Sequence, residues 1–151
     1  PQAVLIGGGV GIPPLVFLAG ALAPRPAAVA FLGSESPFPF AQETAELPVA
    51  GMPATASACM PVLEEMGIAS RLASNAGLPG CYPGYVSDLA RSWLETRSTD
   101  EHAAMTIYAC GPTPMFVPYI SSRSASGCPA SCASRSSWPV RSADAPAVSY
   151  R

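Results

Sequence analysis

Ala3-Val4-Leu5-Ile6 runs directly into Gly7-Gly8-Gly9-Val10-Gly11-Ile12-Pro13-Pro14, and this junction decides the fold. The apolar run reads as a short buried strand. The glycines behind it let backbone N–H groups approach an anion with no Cβ in the way. Pro13 and Pro14 suit the first turn of a helix, where a missing N–H costs nothing. That helix points the positive end of its dipole back at the glycines. Gly9-x-Gly11-x-x-Pro14, with Gly7 and Gly8 in front, is a variant of the dinucleotide turn that lacks its third glycine. Gly8, Gly9, Gly11, Ile12, Pro13 and Pro14 are therefore candidate phosphate-binding residues. Taken alone, the same stretch reads equally as a plain glycine-rich loop.

Outward from this junction the pattern alternates. A helix is expected from about Pro14 to Ala23, ending before Pro24-Arg25-Pro26. Ala27–Leu32 reads as a second buried strand, stopped by Gly33-Ser34-Glu35-Ser36. Residues 37–53 are proline-rich, with a short helix expected over Ala41–Leu47. Ala54–Met66 reads as helical, with Pro61 tolerable only at a turn or kink. Ile68–Ala73 is a third strand and Asn75–Pro83 a loop. Over Tyr85–Thr96, Val86, Leu89, Ala90, Trp93 and Leu94 fall at helical spacing. Met105–Ala109 is a strand ending at Cys110-Gly111-Pro112. Strands alternating with helices predict an α/β fold with a doubly wound parallel sheet, whose ligands bind beyond the carboxyl ends of the strands. Both glycine motifs belong to that edge.

Composition narrows the function classes. Half of the 151 residues are apolar and 12% are charged, which suits one packed domain rather than a disordered chain. The net charge of −2 offers no basic surface, so nucleic acid is not an expected partner. Lysine is absent and every cation is arginine, which with the abundance of Ala, Pro and Gly suggests a GC-rich coding sequence. Ala3–Ala23 is long and nearly uncharged, but its glycines and paired prolines argue against a membrane span. No charged n-region precedes it, so a signal peptide fits poorly. Five cysteines in no scaffold-like pattern point to a reducing cytoplasm.

Three segments together carry a family resemblance: Gly9–Pro14, Gly80-Cys81-Tyr82-Pro83-Gly84-Tyr85-Val86-Ser87-Asp88-Leu89, and Tyr108-Ala109-Cys110-Gly111-Pro112-Thr113-Pro114-Met115. Over roughly Ala3 to Met115 the chain resembles the nicotinamide-binding domain of the ferredoxin reductase superfamily. Within that superfamily it looks most like the electron-transfer subunit of dihydroorotate dehydrogenase. The resemblance implies that Gly9, Gly11 and Pro14 carry the pyrophosphate turn. It also implies that Cys110, Gly111, Pro112 and Met115 line the nicotinamide pocket, the Cys110 thiol lying beside the reacting ring carbon. There Cys110 positions the ring rather than attacking it; the bland alternative is a small buried hydrophobe. Relatives using the phosphorylated cofactor tend to place Ser-Arg after the third strand, whereas the matching pair here is Ser74-Asn75. That favours NAD, with Arg71 the one cation nearby in sequence.

Other candidates read as structural. His102 is expected in a solvated loop, and Glu64 and Glu65 on a solvated helix face. Tyr82 and Tyr85 either stack on an adenine or pack. Trp93 is a core residue, and Cys59 and Cys81 are structural.

The resemblance further implies FAD, held by a β-barrel domain that normally precedes this unit, and a [2Fe-2S] cluster on a cysteine-rich segment after it. It implies a flavoprotein partner of the FMN dihydroorotate dehydrogenase type, in pyrimidine biosynthesis. The chain begins at the first strand of the nucleotide unit, so turnover by this polypeptide alone is not expected. Residues 1–120 carry four arginines and nine acids, whereas residues 121–151 carry four arginines, one acid and ten serines. The change marks a nucleotide-binding domain over 1–120 and an irregular Ser/Arg-rich tail over 121–151. Read in a frame displaced by two bases, with suitable synonymous codons, the tail encodes …Met-Ala-Cys-Ala-Val-Gly-Gly-Cys-Ala-Gly-Cys-Val-Val-Pro. That peptide has the plant-type C-x4-C-x2-C ligand spacing, which suggests a frameshifted remnant of the cluster segment. Two other readings stay open: a reductase subunit serving a hydrogenase, sulfite reductase or oxygenase, and a non-catalytic truncated fragment.

Overall fold

The computed structural model describes residues 2–22, 28–111 and 141–142. Strand β1 (Gln2–Gly8) leads through a single 3-10 turn, Gly9–Gly11, into helix α1 (Ile12–Leu22). Strand β2 (Ala28–Gly33) is followed by a proline-rich connection holding the short strands β3 (Glu43–Thr44) and β4 (Ala58–Cys59). Then come α2 (Pro61–Glu65), β5 (Ala69–Ala73), α3 (Val86–Leu94), α4 (Thr99–Ala103) and β6 (Met105–Cys110). A two-residue β7 (Arg141–Ser142) pairs with β6 in parallel, inside the stretch expected to be irregular.

The main sheet has the order β5-β2-β1-β6-β7, and every ladder in it is parallel. Strand β1 is central, hydrogen-bonded to β2 on one side and β6 on the other. Its apolar run fits that position, because a strand buried on both faces needs no polar alternation. Val4 and Ile6 join Val29, Phe31, Met105 and Ile107 on one face, under Leu89, Ala90 and Trp93 of α3. Leu5 joins Ala30, Leu32 and Leu72 on the other, under Leu15 and Ala19 of α1 and Leu63 of α2. The chain is thus an α/β fold built on a mainly parallel sheet with a core on each face.

The proline-rich connection departs from expectation. No helix forms over Ala41–Leu47; Glu43 and Thr44 pair instead with Cys59 and Ala58 in the antiparallel β3–β4 ladder. The helix expected over Ala54–Met66 is only α2. Proline disfavours helical backbone in the residue before it, and Met60 is extended (φ −94°, ψ 113°). The helix therefore starts at Pro61, which needs no intrahelical acceptor there.

Glu64 is not on a solvated face. Its Oε2 accepts from the backbone N–H groups of Glu46 (3.1 Å) and Leu47 (2.8 Å). Its Oε1 lies 3.6 Å from Arg71 Nη1. A carboxylate on a short helix thereby pins a loop with no regular structure of its own.

His102 is likewise not in a loop: it lies in α4, with Nε2 2.9 Å from Leu94 O. A capping box starts α4, since Ser98 Oγ accepts from Glu101 N–H and Glu101 Oε2 accepts from Ser98 N–H. Those bonds to Ser98 hold the Glu101 carboxyl below its ordinary range. A depressed carboxyl adds stability above its unfolded pKa and loses it as pH falls through the folded one. Ser98→Ala is expected to cost about 1 kcal/mol at neutral pH. That cost should shrink on acidification into the carboxylate range, measured by urea denaturation at several pH values.

Candidate functional site

The carboxyl ends of the parallel strands collect the sequence candidates at one edge. Strand order reverses between β1 and β6: β2 and β5 follow β1 on one side, and the chain returns to the other side for β6. Crevices at such reversals are where open α/β sheets bind ligands.

Gly8 is extended (φ −138°, ψ 137°) and closes β1. Gly9 is left-handed (φ +53°), a conformation that a side chain disfavours. Open space surrounds the position that its Cβ would take. The N–H of Ile12 donates to Gly9 O and closes the 3-10 turn. Within a helical run the first N–H groups have no intrahelical acceptor. Pro13 and Pro14 have none to offer, and the 3-10 turn itself engages the amides of Gly11 and Ile12, so the donors at this end are the amides of Gly9 and Val10. Val10 is 85% exposed.

Gly11 joins the two halves of the site. A Cβ there would lie 2.1 Å from Cys110 O and 2.8 Å from Gly111 N. The ladder pairs Gly7 with Cys110. Residues from opposite ends of the described chain therefore meet with backbone against backbone. Cys110 is half-buried and packs against the α1-side core. Gly111 follows at the edge, whereas Pro112 and Met115 lie outside the described residues.

Ser74 and Asn75 follow β5 at the same edge, two strands from β1, or about 10 Å at the usual strand spacing. Ser74 is buried: its N–H donates to Tyr82 O, and its Oγ accepts from Ala76 N–H at 3.1 Å. Asn75 is exposed.

Arg71 does not reach the edge as a spare cation. It is buried, with Nη1 donating to Ser70 O (2.6 Å) and Nη2 to Leu47 O (2.7 Å), beside Glu64. Burial pulls its pKa down, and Glu64 opposes that shift.

Tyr82 is half-buried against the α3-side core, while Tyr85, the residue before α3, is 55% exposed. Val86 brings the start of α3 against Gly33 at the end of β2. Cys59 and Cys81 are buried thiols outside any disulfide, and burial raises both pKa values. Cys81 Sγ donates to Gln42 Oε1 at 2.9 Å. Among the described residues no group of three or more His, Cys, Asp or Glu is placed to hold a metal ion. Cys128, Cys132 and the shifted-frame ligands fall outside them. No helix among the described residues is long and apolar enough to cross a membrane.

Glu35, just past β2 at this same edge, is a candidate that the sequence pattern did not single out. The available signal was an acidic residue some 20 positions beyond a glycine turn. No protein-family model, no curated protein and no solved structure matches the chain.

Proposed function

We propose that this chain is the NAD-binding unit of a ferredoxin-reductase-type electron-transfer subunit with a doubly wound sheet. It would pass reducing equivalents between FAD and NAD in dihydroorotate oxidation. The observation that carries this reading is the contact of Gly11 with the Cys110–Gly111 backbone at the strand-order reversal. One dinucleotide can then lay its pyrophosphate on the amides of Gly9 and Val10 while its nicotinamide faces Cys110. The residues present suit such a ligand: a left-handed glycine with open space around it, ahead of an eleven-residue helix.

In this reading the cofactors supply the hydride chemistry, and the chain binds and orients. Cys110 positions the ring. Arg71 is committed to Ser70, Leu47 and Glu64, so it is not available to a 2′-phosphate, which favours NAD. FAD, the [2Fe-2S] cluster and an FMN-containing partner enter through the resemblance alone.

Equilibrium titration of the full chain with NADH tests the proposal, and saturable binding is expected. Val10→Glu places a carboxylate in the 3-10 turn. There it suits the helix dipole but repels a pyrophosphate. An exposed substitution of this kind should change stability by less than about 0.5 kcal/mol. NADH affinity should fall roughly tenfold, as for loss of about 1.4 kcal/mol. An affinity that Val10→Glu leaves untouched would remove the turn from the binding site. NADH oxidation is expected only once a flavoprotein partner is added.

A further inference from the structure

We infer that Glu35 reads the adenine-ribose end of the cofactor and restricts the site to the non-phosphorylated dinucleotide; this rests on the dinucleotide reading above. Gly8 and Gly33 are register partners at the ends of β1 and β2. The residue two positions past Gly33 therefore follows the strand next to the phosphate turn, at the same edge. Ser34 N–H donates to Ala73 O at 3.1 Å, which keeps the chain aligned with the sheet for one residue beyond β2. Ser36 N–H then donates to Ser34 Oγ at 3.3 Å, and the two hydroxyls lie 3.4 Å apart. These contacts close a Ser-x-Ser turn with Glu35, exposed, at its tip. Glu35 forms no ion pair among the described residues.

The chemistry of a carboxylate selects the ligand. It accepts hydrogen bonds and offers none, so it matches the paired 2′- and 3′-hydroxyls of a ribose, which donate. A 2′-phosphate at the same place brings like charge and no donor. Glu35 follows Gly11 by 24 positions and stands at the end of the second parallel strand. In parallel nucleotide-binding sheets an acidic residue there takes the ribose hydroxyls. The two other groups near this region are already engaged: Ser74 Oγ by Ala76 N–H, and Arg71 by Ser70, Leu47 and Glu64. Selectivity against the phosphorylated cofactor thus falls to Glu35 as a repelling charge, not to a missing arginine alone.

The test is equilibrium binding of NADH and of NADPH, each titrated into the full chain and into Glu35→Gln and Glu35→Arg. All three proteins should unfold at similar temperatures, because residue 35 is exposed. The wild type is expected to prefer NADH by about tenfold or more, the ratio for one charged hydrogen bond. Glu35→Gln should narrow that ratio, and Glu35→Arg should bring NADPH level with NADH or ahead of it. If NADH binds and the ratio is the same in all three proteins, Glu35 has no such role, while the dinucleotide reading stands. If the wild type binds neither nucleotide, both fall.

Discussion

Gly11→Ala is expected to lower the melting temperature by about 10 °C and to abolish NADH binding. The added Cβ would lie 2.1 Å from Cys110 O and 2.4 Å from its carbonyl carbon, both main-chain atoms that no rotamer change can move aside. Forcing extra volume into a packed site costs typically 1–3 kcal/mol. An obstacle made only of backbone belongs at the upper end, about 3 kcal/mol, from a total of roughly 5–15 kcal/mol. For a domain of this size that converts to a shift of roughly 10 °C. The control is Gly20→Ala in the exposed last turn of α1, where the new Cβ meets nothing within 4 Å. It should stabilise by about 0.5–1 kcal/mol through higher helix propensity and a less flexible unfolded chain. Thermal melts of the pair separate steric exclusion at the turn from any general effect of losing a glycine. Equal melting temperatures for Gly11→Ala and wild type would mean that the turn does not touch β6.

Trp93→Ala should cost about 3–5 kcal/mol, the usual range for emptying a buried aromatic site. Trp93 is 1% exposed, and its ring centroid lies 5.3 Å from that of Phe31 in the centre of the α3-side core. Its Nε1–H also donates to Ala50 O at 3.0 Å. Volume rather than that hydrogen bond sets most of the cost, because Ala50 O also accepts from Arg97 Nη2 and so stays paired. Arg97 itself rests over the Trp93 ring, 4.9 Å from its centroid. Trp93→Phe keeps most of the volume and should cost about 1–2 kcal/mol. Urea denaturation of both variants checks the order. A loss in Trp93→Phe as large as in Trp93→Ala would mean that the hydrogen bond to Ala50 matters more than the volume of the ring.

The first third of the fold was legible because its physics is local. An apolar run, a glycine turn and a proline-led helix each declare themselves within a few residues, and β1, the turn and α1 lie where the pattern placed them. Val86, Leu89, Ala90, Trp93 and Leu94 marked α3 for the same reason. The connection from Ser34 to Met60 was not legible, because its conformation is decided at a distance. Glu43 and Thr44 are strand through Cys59 and Ala58, and the backbone of Glu46 and Leu47 is held by Glu64. Arg71, three residues before Ser74, has the sequence position of a cofactor contact, yet Leu47 and Glu64 hold it. The meeting of Gly11 with Cys110 had no local signature: the alternating pattern put both glycine motifs at one sheet edge, and the family resemblance put them in one site. Glu35 carries little local signal, because an acid between two serines is the ordinary composition of a solvent-facing loop.

The central place of β1 has a consequence for biosynthesis. This strand leaves the ribosome before β2 and β6, yet its second neighbour is made only when Met105–Cys110 emerge. At the usual elongation rates that delay is roughly 5–20 s. During it the Val4-Leu5-Ile6 edge remains open, a template for other nascent chains. Production at low temperature with chaperones should therefore raise the yield of native protein more than any change to the finished surface.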